Sequence, residues 1–259
     1  MGSTYPILEC SGASVIANRL RPISGGRALD VATGSGGFVK TLLKTLKDYD
    51  SFVGIDSSSE EIEAAEKGLI EDAEFTVMNA ESLEFGDGCF DTVCVANSLH
   101  HFEDLDRALS EMKRVLKPGG CFIVQEMFCD GEQTEAQRSE ILSHNLEAEI
   151  DLVLGVHHNR TFTRKKIREI VRRLSLRNLE VFESSREVKC LFCDEREKCE
   201  DPKNEDIVKF ELDKVEKNIE RLKDHEEFSK FREEAEEIKE RIRNWGSATA
   251  SMLFFIGRK

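Results

Sequence analysis

The 259-residue chain predicts an α/β fold, a parallel sheet wound by helical crossovers, and three observations carry that reading. Short apolar strands alternate with helical repeats through the first half of the chain, the pattern of right-handed β-α-β units. The strand at 28–31, Ala-Leu-Asp-Val, runs directly into a glycine-rich turn, Ala32-Thr-Gly-Ser-Gly-Gly. Asp56 closes the next apolar strand about twenty residues later, the spacing of a nucleotide cradle. Gly34 and Gly36 remove side chains where backbone must approach a ligand, and the helix opening near Gly37 offers free N–H groups.

The elements follow in order. Val15, Ile16 and Leu20 repeat at helical spacing and predict a short helix over 11–21, ended by Pro22. Strands are expected near 27–32, 51–56, 73–78, 90–96 and 120–126, with helices near 37–47, 59–69 and 103–116 between them. The runs Thr92-Val-Cys-Val-Ala and Cys121-Phe-Ile-Val are apolar throughout, which suits strands buried on both faces and makes Cys94 and Cys121 core residues. Further helices are expected over 134–154 and 164–174, the latter capped by Thr163, with the loop Val156-His-His-Asn-Arg-Thr-Phe between them. Leu179–Val188 and Ala248–Ile256 read as two last strands.

Between those strands the chain is dominated by charged helix formers. Asp201-Pro202 predicts a helix start, and Val208, Leu212, Val215, Ile219 and Leu222 recur at alternating spacings of four and three. The rhythm resumes out of phase at Phe228, Phe231, Ala235, Ile238, Ile242 and Trp245, with Asp224 and Glu227 as a capping box at the junction. An antiparallel hairpin over roughly 203–223 and 225–245, ended by Gly246, follows from that break. The domain boundaries expected are a core of 1–200, a hairpin insertion of 201–246, and a final strand of the core in 247–259.

Composition narrows the function classes. Acidic side chains number 51 against 37 basic, a formal charge of −14, which opposes contact with phosphate backbones and anionic lipid. Neither nucleic acid nor membrane is expected as a partner. The basic run around Arg164-Lys-Lys-Ile-Arg reads as the wet face of an amphipathic helix built on Ile167, Ile170, Val171 and Leu174. The absence of a long apolar stretch or of a basic region followed by an apolar run at the N-terminus predicts a cytoplasmic protein. Cys190, Cys193 and Cys199 have the local spacing of a metal knuckle but lack a nearby fourth ligand, so free thiols are the simpler expectation and no metal site is assigned.

Four further segments narrow the chemistry. Phe75-Thr-Val-Met-Asn-Ala-Glu, Phe90-Asp-Thr-Val-Cys-Val-Ala-Asn-Ser-Leu-His-His-Phe, Arg114-Val-Leu-Lys-Pro-Gly-Gly and Cys121-Phe-Ile-Val follow one another. With the glycine turn, this series resembles the class I S-adenosylmethionine-dependent methyltransferases, and within them the ubiquinone/menaquinone C-methyltransferase branch, over roughly residues 25–128. The resemblance implies a Rossmann-like, seven-stranded, mostly parallel sheet of order 3-2-1-4-5-7-6 with helices on both faces, and S-adenosyl-L-methionine as cofactor. It implies that Asp30, Ala32, Gly34, Ser35 and Gly36 surround the methionine moiety, Asp56 and Ser57 the ribose, and Asn79, Ala80 and Glu81 the adenine, with Asn97 beside the sulfonium.

This chain departs from the family pattern at two positions. Ala32 stands where the family's first glycine usually stands, and Asn79 where an aspartate is usual. Asp30 and Asn97 also have structural readings, as a stabiliser of nearby backbone N–H groups and as a turn cap.

The acceptor pocket is expected outside the carboxyl ends of the fourth and fifth strands, where His100, His101, Glu126 and Cys129 emerge. His100, His101 and Glu126 are the catalytic candidates, with His157 and His158 as further contacts, although paired histidines also serve as packing residues. A methyltransferase acting on a small or medium-sized metabolite is the reading that results. A cofactor-binding regulatory or assembly protein and a metalloid or thiol methyltransferase are the alternatives, and the hairpin is a lid, a cap or a homodimer arm.

Overall fold

A computed structural model describes residues 11–68, 72–184 and 201–259. The expectations about Cys190, Cys193 and Cys199, and the end of the expected strand Leu179–Val188 beyond residue 184, lie outside them. In chain order the elements are α1 (Ser11–Leu20), β1 (Arg27–Val31), α2 (Gly37–Thr45), β2 (Ser51–Asp56), α3 (Ser59–Lys67), β3 (Ala73–Val77), β4 (Phe90–Ala96) and α4 (Leu105–Val115). They continue with β5 (Leu116–Met127), α5 (Glu135–Val153), α6 (Arg164–Arg173), β6 (Arg177–Ser184), α7 (Glu205–Glu220), α8 (Phe228–Trp245) and β7 (Met252–Arg258).

The seven strands form one sheet in the order β3-β2-β1-β4-β5-β7-β6. β1 pairs in parallel with β2 on one side and β4 on the other, and β7 runs antiparallel between β5 and β6. The sheet and its order are those the sequence and its resemblance led one to expect.

The alternation of side chains along each strand divides the core in two. Leu29, Val31, Val53, Ile55, Val93, Val95, Phe122, Val124, Leu253 and Phe255 point to the face covered by α4 and α6. Ala28, Phe52, Cys94, Cys121, Ile123 and Phe254 point to the face covered by α1 and α2. Both cysteines are fully buried there, as small core residues.

Helix ends mostly follow local rules. Thr163 caps α6 by accepting from Lys166 N–H, and Thr134 forms a reciprocal capping box with Gln137 at the start of α5. Two expected starts are corrected. The first hairpin helix is capped by Asn204, which accepts from the N–H groups of Asp206 and Ile207, while Asp201 holds the turn before it through Lys203 N–H. At the junction Glu227 makes no side-chain cap; its N–H donates to His225 Nδ1, a local bond that displaces the capping box with Asp224.

The hairpin buries its seam against α5. Val215, Ile219, Leu222, Phe231, Ala235, Ile238 and Ile242 pack with Leu146 and Ile150 in a third core of their own. Trp245, which the repeat placed in that seam, is half exposed because it falls at the last turn, beyond the reach of the partner helices.

Gly246 ends α8 at φ 75, ψ −165, a conformation open essentially to glycine alone, and a Cβ there would meet the Pro202 carbonyl oxygen at 1.9 Å. Gly246→Ala is therefore expected to destabilise the protein by at least about 1–3 kcal/mol, read as a lower urea midpoint with an unchanged slope.

Candidate functional site

The carboxyl ends of β1, β2 and β4 lie side by side because these strands run in parallel and in register, Val31 opposite Ile55 and Val95. The turns that follow them therefore open at one edge of the sheet. Between them lies a cavity of about 630 Å³ lined by Asp30, Ala32, Thr33, Gly34, Ser35, Asp56, Ser57, Asn97 and His101 among others. A second cavity of about 240 Å³ continues past Ala32, Asp56 and Ser57 to Met78, Asn79, Ala80, Glu81, His101 and His157.

The glycine turn is shaped by local strain and one carboxylate. Ala32, Gly34 and Gly36 adopt φ of 54, 51 and 81. Ala32 thus stands in the left-handed conformation that makes glycine the usual residue there, and its Cβ is strained by about 1–2 kcal/mol. Asp56 accepts from Gly34 N–H through Oδ2 at 2.9 Å and from Ser58 N–H through Oδ1 at 3.0 Å, pinning the turn to the end of β2. Each oxygen keeps a second lone pair for a ligand.

Among the described residues, two of the buried side-chain oxygens without a partner belong to residues lining the larger cavity. Asp30 Oδ2 accepts from the Thr33 hydroxyl at 2.7 Å while its Oδ1 is unpaired. Asn97, at φ 50, leaves its Oδ1 unpaired. Buried acceptors of this kind favour a ligand that brings N–H donors. Of the two roles open to Asp30 from sequence, its close hydrogen-bond partner is the Thr33 hydroxyl and not a backbone N–H, and the residue lines the cavity.

On the adenine-side wall, Asn79 Oδ1 accepts from Glu81 N–H at 2.8 Å, and Glu81 accepts from Asp104 N–H at 2.9 Å. Asn79 thus shapes its own turn and Glu81 ties that turn to the start of α4, and both residues line the smaller cavity.

The catalytic candidates separate. His101 lines both cavities. His100 and Glu126 do not emerge into the pocket as expected: both are fully buried, because the turn after Asn97 folds His100 back under β5. His100 Nδ1 lies 2.7 Å from Glu126 Oε1, and Glu126 Oε2 accepts from Leu99 N–H at 2.9 Å. Behind them stands a residue that sequence reasoning missed, His144 of α5, whose Nε2 is 3.0 Å from His100 Nε2 and 3.2 Å from His158 Nε2.

His158 Nδ1 lies 2.7 Å from Asp151 Oδ2, and Asp151 also pairs with Arg221 at the end of α7. The available signal was the seven-residue spacing of His144 and Asp151, which puts both on one helix face. Burial and neighbouring imidazoles push His144 down to about 2, so its ring is neutral at neutral pH. Cys129 stands apart from these rings, its N–H donating to the Phe162 carbonyl, and burial raises its thiol.

Residues 29–124 match the methyltransferase domain family. The chain is 38% identical over 130 residues to a demethylmenaquinone methyltransferase of Thermotoga maritima, covering 50% of this chain and 55% of that protein. It spans about half the length of the curated relatives it matches, 55% and 46% for two of them.

Among solved structures, the YcgJ protein of Bacillus subtilis is similar at a TM-score of 0.54 and 18% identity, covering 96% of this chain and 97% of that one. A phosphoethanolamine N-methyltransferase 2 of Haemonchus contortus, solved with S-adenosyl-L-methionine, is similar at a TM-score of 0.53 and 19% identity, covering 95% of this chain and 52% of that one. At such identities the likeness is one of fold.

Burial raises the Asp30 carboxyl to about 7 in the folded protein, above its ordinary value of 3.8. A raised carboxylate contributes stability that is fully present below the unfolded value and is lost as pH rises through the folded one. Urea midpoints are accordingly expected to fall between pH 4 and 7 in the wild type, and Asp30→Asn is expected to remove that component of the slope.

Proposed function

We propose that the chain is an S-adenosylmethionine-dependent methyltransferase acting on a small or medium-sized metabolite, since residues 29–124 match the methyltransferase domain family and the strand order is that of the resemblance. The observation that carries the reading is the pair of unpartnered buried acceptors, Asp30 Oδ1 and Asn97 Oδ1, on the wall of a cavity whose floor is the glycine turn. S-adenosylmethionine fits that donor set: its ammonium group supplies N–H donors, its ribose hydroxyls suit Asp56, and its purine suits the wall of Asn79, Ala80 and Glu81. When bound, it supplies a methyl group already made electrophilic by the sulfonium.

The residues then have positional tasks. Gly34 and Gly36 let the backbone approach the ligand, and Asp56 holds the turn closed while accepting from it. Asp30 is raised by burial, and a bound cationic group beside it favours its ionised form. His101, which borders both cavities, faces the acceptor side, and His100 with Glu126 forms the buried support against which its ring packs, 4.4 Å between ring centroids. Holding donor and acceptor in line and free of water is the main contribution such a site makes to transfer. A relative that carries a demethylmenaquinone methyltransferase name supports an organic metabolite as acceptor, and a formal charge of −14 disfavours nucleic acid.

Thermal-shift titration tests the cofactor. S-adenosylmethionine and S-adenosylhomocysteine at a hundredfold excess over Kd are expected to stabilise the protein by about 2.7 kcal/mol, and NAD is expected to have no effect; a shift with NAD alone overturns the reading. Asp56→Asn is expected to weaken S-adenosylhomocysteine binding about 10- to 100-fold in calorimetry, the loss of hydrogen bonds to a charged acceptor.

A further inference from the structure

His100, His144 and His158 come to one point from separate stretches of chain, the turn after β4, the middle of α5 and the loop that follows it. His100 and His158 are buried, and His144 is half-buried beside them. Neither cavity is lined by any of the three, so their arrangement is not explained by the cofactor or by the acceptor.

Hydrogen positions make the cluster incomplete as a network of imidazoles. His100 and His158 each direct Nδ1 at a carboxylate oxygen 2.7 Å away. A neutral ring that donates from Nδ1 has a bare lone pair on Nε2. Both bare Nε2 atoms face His144 Nε2, at 3.0 and 3.2 Å. That nitrogen carries at most one hydrogen, so at least one of the two facing lone pairs is left without a donor.

A cation at the centre satisfies all three lone pairs at once. The two separations through His144, 3.0 and 3.2 Å, are close to the spacing of about 3.3 Å that tetrahedral zinc with Zn–N bonds of about 2.0–2.1 Å sets between nitrogen ligands. The surroundings agree as well, since metal-bound histidines characteristically donate their other N–H to a carboxylate, the part played by Glu126 and Asp151. Arg221 of the hairpin in turn holds Asp151.

We propose that His100, His144 and His158 bind a divalent transition-metal ion through their Nε2 atoms, with Glu126 and Asp151 orienting the rings. An all-imidazole set of this size selects zinc or a neighbouring first-row ion over magnesium or calcium. Ligand atoms of His100, His101 and His158 lie within 4.8 Å of one another. His101 thus stands beside two of the three proposed ligands, on the side of the cavities it borders.

The test uses the full chain, stripped with a chelator and dialysed against zinc chloride, alongside a C190S/C193S/C199S variant that removes the other concentration of soft ligands. The bound zinc is counted by elemental analysis, and cobalt chloride is used in parallel for its visible spectrum. One zinc per chain is expected in both proteins, with a cobalt spectrum free of sulfur charge-transfer bands.

His144→Gln is expected to abolish binding and His225→Gln to leave it unchanged. Asp151→Ala, which keeps every ligand, is expected to weaken it about 10- to 100-fold, and this arm stands if His144→Gln fails to fold. An absence of zinc binding, zinc lost with the cysteines, or full affinity in Asp151→Ala overturns the site. These readouts do not involve methyl transfer, so they stand apart from the success or failure of that reading.

Discussion

The parallel pairing of β1 with β2 on one side and β4 on the other is the constraint from which the site follows. Parallel strands in register end together, and the chain must leave each of them at the same edge of the sheet. Between β1 and β4 the winding reverses direction, so the turns after the two strands diverge and leave a crevice instead of packing on each other. Were β4 antiparallel, Asn97 and His101 would lie at the opposite edge from Gly34 and Asp56.

Strain and unmet polarity gather at that edge. Among the described residues, two of the four non-glycine positions with positive φ, Ala32 and Asn97, line the larger cavity, and two of the residues with a buried side-chain oxygen lacking a partner, Asp30 and Asn97, do so as well. Elsewhere in the sheet Leu29, Val53, Val93 and Phe122 obey simple alternation and bury apolar surface on one face. A fold that keeps its core regular and concentrates unfavourable local terms in one crevice has a preorganised place for a ligand to relieve them.

The hairpin of α7 and α8 contributes through packing and through one ion pair. Its seam completes a core with α5, which fixes α5 and so fixes His144 and Asp151 upon it. Arg221 at the end of α7 reaches Asp151, which orients His158. A segment that the sequence marks only as a charged amphipathic insertion thereby holds the outer layer of the histidine cluster.

Local pattern alone was enough to read the strands, the glycine turn, Asp56 and the hairpin, because each depends on periodicity or on conformations that few residues accept. Ala32, which stands where the resembled family usually has glycine, adopts the left-handed conformation in the fold. Which carboxylate meets which imidazole was decided only by tertiary structure. Glu126 finds His100 across 26 positions and His144 finds it across 44, pairings set by sheet order and by the docking of α5, and no local repeat encodes them. Neighbouring side chains diverge in a regular element, so the adjacent histidines do not by themselves gather at one point. The fold instead draws one ring from each of three distant stretches, because packing brings together what sequence spacing separates.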